Sequence, residues 1–430
     1  MSKRWKQIIT ASSLMLAVAG LLFTFNALCI APLVILGERD QQTAIYGIFS
    51  GLAMLLTIGV GITTFIHADR SMRGIPSKPM TLPQPWILIA VFLLFLLIGI
   101  LASSEKSASS GLLVSPIVLV LAVLPPLWAV AWFTPRDPQQ SQLTWRRGLV
   151  ALCGGATVSI VLALVLETII PLTVMSLLVN TGQSLLETWG RLLDTPSSSG
   201  LVAELTNPTF VYFFILVAVI APLVEELVKP LVTLPLLRQL NRQEAFWVGA
   251  LAGAGFAAVE NVIYAGSGYS IWPGILFVRA IGVALHPLCA GLVTLGWREI
   301  LNREPGAGET WFKQYGFAVL IHAIWNGGSL LVITLGGAQF FGVLPAEIDL
   351  LGLSMAGTTL AFLVLLGIAC LWVGRGFGHN RPLLAAPEPG ADSTSDAGFV
   401  LSERATALWA LACLLAIVPI GIAGFKLWVR

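Results

Sequence analysis

The sequence predicts an all-α fold, a polytopic transmembrane helix bundle of about eleven spans with its N-terminus in the cytoplasm. Three observations predict it. Of 430 residues, 57% are apolar and only 11% are charged, whereas a soluble domain carries about 25% charged residues. Apolar segments near the ~20 residues that a bilayer requires recur along the whole chain. Lysine and arginine are also unevenly placed. With a cytoplasmic N-terminus, seventeen fall in inside segments and five outside, as the positive-inside rule requires. The net charge of +2 is scattered over short loops and points to no nucleic-acid partner.

The N-terminal Met1-Ser-Lys-Arg-Trp-Lys6 followed by apolar residues resembles a signal peptide. The apolar run continues to about Leu36 with no small-x-small cleavage site after a short core, so residues 9–37 read as an uncleaved first span. Spans at 44–67, 86–103, 112–133 and 148–178 follow, separated after the second by a short Pro-rich loop at 68–85. Residues 1–178 thus form an accessory N-terminal set. The outside loop 179–208 carries Leu185, Leu186, Trp189, Leu192 and Leu193 at helical spacing, which suits an interfacial helix or packing on the bundle.

Four spans, 209–237, 246–265, 272–296 and 316–336, form a core at 209–336. Residues 337–374 add a span at 350–374. Residues 375–406, with Pro-Glu-Pro-Gly-Ala-Asp-Ser-Thr-Ser-Asp, read as a flexible cytoplasmic linker before a last span in 407–430. Cys29, Cys153, Cys289, Cys370 and Cys413 lie in apolar segments without a CxxC and read as small buried hydrophobes. No internal repeat marks an inverted-repeat transporter.

The polar residues of the core are the informative ones. Glu225, Glu226 and Lys229 sit inside an apolar segment, where a charge at the bilayer centre costs several kcal/mol. At spacings of three and four they share a helix face, and pairing one Glu with Lys229 leaves a carboxylate over. The next span carries Phe256 and Glu260, the next Arg279 and His286, and the next His322, Trp325 and Asn326. At 1.5 Å per residue Glu226, Glu260, His286, His322 and Asn326 lie about 10 to 22 Å from the cytoplasmic ends of their four spans. The bland alternatives are a structural ion pair among Glu225, Glu226 and Lys229, Glu260 as a buried partner of Arg279, and interhelical hydrogen bonds at His286, His322 and Asn326. Glu167, in the fifth span, reads as structural or as a substrate-gate residue. His67 and His379, at helix ends, read as solvated.

Glu225-Glu-Leu-Val-Lys229, Phe256-Ala-Ala-Val-Glu-Asn261, His286 and His322-Ala-Ile-Trp-Asn326, in this order, resemble the PrsW family of intramembrane proteases. That family is similar to the CPBP superfamily of CAAX and bacteriocin-processing proteases. The resemblance covers about residues 209–336. It implies an intramembrane endopeptidase in a prokaryotic plasma membrane, with the first Glu as general base. It also implies a membrane-anchored protein substrate, such as an anti-sigma factor.

Peptide hydrolysis needs an activated water and a group to hold the oxyanion. Glu225 or Glu226 suits the base, with Lys229 holding the other ionised. Glu260 and His286 can position the water or, with His322, bind a divalent metal such as zinc. No His-Glu-x-x-His is present. His322 and Asn326 can donate to an oxyanion. The candidate catalytic set is therefore Glu225, Glu226, Lys229, Glu260, His286, His322 and Asn326. Two rival readings use the same residues. One is a proton- or ion-coupled secondary transporter; the other is a non-catalytic membrane scaffold.

Overall fold

A computed structural model describes residues 75–103, 108–135, 143–178, 208–267, 271–332, 334–335 and 350–379, with scattered positions between 59 and 73. Among the described residues every element is helical, and strand pairing is limited to one bridge between Pro79 and Thr144. The helices are α1 (Pro85–Ala102) and α2 (Ala108–Phe133). Helix α3 runs as Trp145–Gly154, a π-helical turn Gly155–Ser159 and Ile160–Leu178. Helix α4 is more broken: Pro208–Ile215, a π turn Leu216–Ile220, Ala221–Val228, a 3-10 turn Lys229–Thr233 and Leu234–Leu237. Then come α5 (Arg242–Ser267), α6 (Trp272–Ile281), α7 (Leu285–Leu301), α8 (Ala307–Val332) and α9 (Leu350–His379).

Seven of these helices are long and apolar enough to cross a membrane, and α6 with α7 make an eighth, bent by 44°. They correspond to the third through tenth spans read from the sequence. Most of the first two spans, the 179–207 loop, residues 380–406 and the last span lie outside the described residues. The chain is a multi-pass membrane protein.

Helix α5 is the axis of the bundle. Its spanning window is 89% buried, against 22% for α9, and it packs on α2, α3 and α7. Its small residues permit this. A Cβ on Gly253 would stand 2.3 Å from the His286 carbonyl oxygen, and one on Gly255 would stand 2.0 Å from that of Leu152. The peripheral helices expose Trp86, Leu97, Leu101, Leu365 and Trp372, the apolar surface that lipid covers.

Several helix ends differ from the apolar windows, each for a local reason. Helix α5 starts at Arg242, ahead of the predicted 246, because Asn241 and Glu244 form a capping box. Glu244 N donates to Asn241 Oδ1 at 2.8 Å and Asn241 N to Glu244 Oε2 at 3.1 Å. Arg147 Nη1 of α3 donates to the other Glu244 oxygen at 3.1 Å. Helix α8 starts at Ala307 rather than 316, on a polar turn with a Lys313–Glu309 pair of 2.5 Å. Helix α9 runs through His379, so residues 375–379 of the predicted linker are helical. The Arg375 guanidinium lies 4.6 Å over the Trp132 ring of α2 and anchors that end. His67 and His379 are half-buried rather than solvated, and His379 Nδ1 donates to the Arg375 carbonyl at 3.2 Å. Among the described residues, Cys153, Cys289 and Cys370 are buried and outside any disulfide.

Candidate active site

The irregular turns of α4 follow from its prolines. Pro222 has no N–H to give to Ala218, and the helix widens to a π turn just before it. Pro230 cannot bond to Glu226, and the backbone tightens to a 3-10 turn at Lys229. Side chains of neighbouring helices bond to carbonyls in or beside both irregular turns. Asn326 Nδ2 of α8 donates to Val217 O at 3.0 Å. Ser159 Oγ of α3 lies 3.3 Å from Val228 O and 3.2 Å from Lys229 O. The segment carrying Glu225, Glu226 and Lys229 is thus pinned at both ends.

These three side chains are buried, with Glu226 and Lys229 at 0% exposure. Lys229 Nζ lies 2.6 Å from Glu226 Oε1, 2.9 Å from Glu225 Oε2 and 2.7 Å from His286 Nδ1. His322 Nδ1 donates to the same Glu226 Oε1 at 2.7 Å. The two imidazoles meet edge to face with centroids 4.9 Å apart. Val224, Val228 and Phe256, with Ile160 and Ala163 of α3, form an apolar cluster beside the acids. Burial of this much charge is tolerable only because each ion has a partner.

His286 is the second residue of α7, immediately beyond the break, so the break aims its ring at α4. Its two nitrogens face different groups. Nδ1 accepts from Lys229, and Nε2 lies 2.9 Å from Glu260 Oε2. Arg279 Nη2 donates to the same Glu260 oxygen at 2.6 Å, and Arg279 Nε to Asn261 Oδ1 at 2.5 Å. Glu260 is therefore both the buried partner of Arg279 and the carboxylate behind His286.

Glu225, Glu226, His286 and His322 each offer one ligand atom, all within 4.8 Å of one another. Glu260, a candidate ligand from the sequence, lies instead on the far side of the His286 ring. Carboxylate–histidine–metal relays place an acid in that position. Glu225 Oε2, Glu226 Oε2 and His322 Nε2 are buried without a hydrogen bond. Nitrogen and carboxylate donors of this kind, left unsatisfied, fit a divalent ion in type. Lys229 Nζ stands among them.

Residues 144–351 match the family model of PrsW family intramembrane metalloproteases. No curated protein and no solved structure matches the chain. The PrsW match begins before the core read from the sequence and takes in α3, including Ser159 and Glu167. It leaves α1, α2 and nearly all of α9 outside.

Of the residues read from the sequence, Glu225, Glu226, Lys229, His286 and His322 come together, with Glu260 adjoining through His286. Asn326 does not join them; its amide is engaged on the α4 backbone. Ser159, in the PrsW-matching stretch, has a structural role that spacing did not show: it supports the 3-10 turn. Arg279 neutralises Glu260, the pairing that the sequence offered as the structural alternative. Glu167 on α3 is half-buried, its Oε1 is buried without a hydrogen bond, and it lies within electrostatic reach of Glu225, Glu260 and Lys229. An intramembrane carboxylate outside the motifs was the signal for it.

Proposed function

We propose that the chain is a PrsW-type intramembrane endopeptidase, hydrolysing a peptide bond in a membrane-anchored protein with a water activated by Glu225. The observation that carries this reading is the buried Glu225–Glu226–His286–His322 group, drawn from α4, α7 and α8, with three unsatisfied acceptor atoms. A family match over residues 144–351 supports the same class of chemistry.

Glu225 suits the base better than Glu226. Glu226 Oε1 already accepts from both Lys229 and His322. Glu225 Oε2 has the ammonium at 2.9 Å but no aligned hydrogen bond, so its lone pairs remain for a water. His322 holds Glu226, and Glu260 orients His286. Lys229 offsets one of the two acids and supplies positive charge where an oxyanion develops. A divalent ion, zinc by its donor set, would be held by Glu225, Glu226, His286 and His322 and would acidify a bound water and polarise the scissile carbonyl.

The basic loops support a cytoplasmic N-terminus. By resemblance the membrane is a prokaryotic plasma membrane, the substrate resembles an anti-sigma factor, and the relation extends to the CPBP superfamily. The test compares membrane-protein fragments in cells carrying the wild type and the Glu225→Gln chain. Fragments present only with the wild type are expected. Identical fragment sets would remove the proposed base.

A further inference from the structure

The group that fits a divalent ion already surrounds a cation. An ammonium has three N–H donors. Lys229 Nζ bonds to Glu226 Oε1 at 2.6 Å and His286 Nδ1 at 2.7 Å, and pairs by charge with Glu225 Oε2 at 2.9 Å without an aligned hydrogen bond. All three residues belong to the four-residue group, and each meets the ammonium through an oxygen or nitrogen of the kind a metal takes. The Phe256 ring lies 4.5 Å from Nζ and closes another side. Lys229 has no exposed surface. The side chain thus fills the space between the donors.

We infer that Lys229 is a tethered occupant of this nest, and that the ammonium and a divalent ion hold it in turn and never together. This inference rests on reading the four residues as metal-binding. Two physical arguments support it. A metal bound about 2.0 to 2.2 Å from the same oxygens and nitrogen would leave no room for a nitrogen already at hydrogen-bond distance from them. Two carboxylates balance one divalent ion, so an ammonium kept beside it would leave a surplus positive charge in a buried site.

A role for the tether follows. Glu225 and Glu226 are adjacent, buried and in contact with the same cation. Without a positive charge between them the nest would fly apart or fill with protons. Lys229 keeps the donors assembled when no metal is bound, and metal entry must break its contacts. The four-carbon stem lets the charged head leave while the helix stays in place. Loading is then competitive, and the wild type holds metal less tightly than its donor set alone would.

The test uses the full chain in lipid nanodiscs, stripped with a chelator and titrated with zinc, with bound zinc read by elemental mass spectrometry. Cobalt(II) serves as a second probe, read by its visible spectrum. Lys229→Met and Lys229→Gln should each bind one ion at least about tenfold more tightly than the wild type, the worth of a charge-assisted hydrogen bond lost by the competitor. Lys229→Arg, which keeps the positive charge, should bind no more tightly than the wild type. Equal affinity in the wild type and the neutral variants would overturn the inference. So would a wild type that keeps one zinc per chain through the chelator step, a result that needs no variant to fold. Zinc binding by neither form would also overturn it. Loss of fragments in Glu225→Gln cells would still stand after that result, so the two failures are distinguishable.

Discussion

Lys229 Nζ lies 2.7 Å from His286 Nδ1, although the two residues stand on different helices and 57 positions apart. Only an unprotonated Nδ1 can accept that bond, which places the ring proton on Nε2, against Glu260 at 2.9 Å. One contact therefore fixes a tautomer and links the acids of α4 to the acid of α5. The predictions below follow from this chain of groups.

Glu260→Gln should be among the most damaging changes in the bundle. It strips Arg279 of its carboxylate at 2.6 Å and the His286 ring of its backing. A buried ion left unpaired costs about 3–5 kcal/mol. Thermal unfolding in detergent should show that loss. Adding Arg279→Met to Glu260→Gln should restore a large part of it, whereas Arg279→Met alone should be destabilising.

Glu225→Gln and Glu226→Gln should separate by stability rather than by activity. Loss of the base or of its partner should lower fragment production by about a hundredfold or more in each case. Glu226 carries two short bonds, from Lys229 and His322. Glu226→Gln should melt at a lower temperature than the wild type. Glu225→Gln removes one of two adjacent negative charges and should melt close to it. Melting curves beside fragment yields check the split.

Gly253→Ala should loosen the site without touching an acid. The added methyl would lie 2.3 Å from the His286 carbonyl, a backbone atom that cannot turn aside. A shift of α7 costing about 1–3 kcal/mol is expected, with reduced fragment yield. Gly316→Ala on α8 meets nothing within 4 Å and is the control. It should raise stability by about 0.5–1 kcal/mol, as Ala does over Gly in a helix.

Asn326→Ala should act through the backbone of α4. The amide donates to Val217 O in the π turn, and removing it leaves that carbonyl unpaired at a cost of about 1–3 kcal/mol. Melting temperature is the readout. Asn326→Gln, whose longer amide cannot reach the same carbonyl without moving α8, should recover little.

Hydropathy windows located the third through tenth spans because each is a run of apolar residues that a bilayer selects. They could not locate the π turns of α3 and α4, which depend on hydrogen-bond register rather than on composition. The prolines at 222 and 230 were the available clue, since each removes a particular N–H. The bend between α6 and α7 left a trace too. Gly282 opens it, and Pro287 falls in the first turn of α7, where a missing N–H costs nothing.

In the site, residue identity was legible from spacing, because intramembrane charge is expensive and is kept where it has a use. Which nitrogen faces which acid was not legible, because it is set by the helix break and by the close packing of α5 on α7. That is why Glu260 read as a ligand and lies behind His286, and why Asn326 read as an oxyanion donor and caps a carbonyl.

The discontinuity at residues 282–284 has a mechanical consequence. Arg279 on the arm before the kink and His286 on the arm after it both reach the same Glu260 oxygen, at 2.6 and 2.9 Å. The two arms are thereby latched to each other through one carboxylate of α5, so the angle of the kink and the aim of the imidazole are set together.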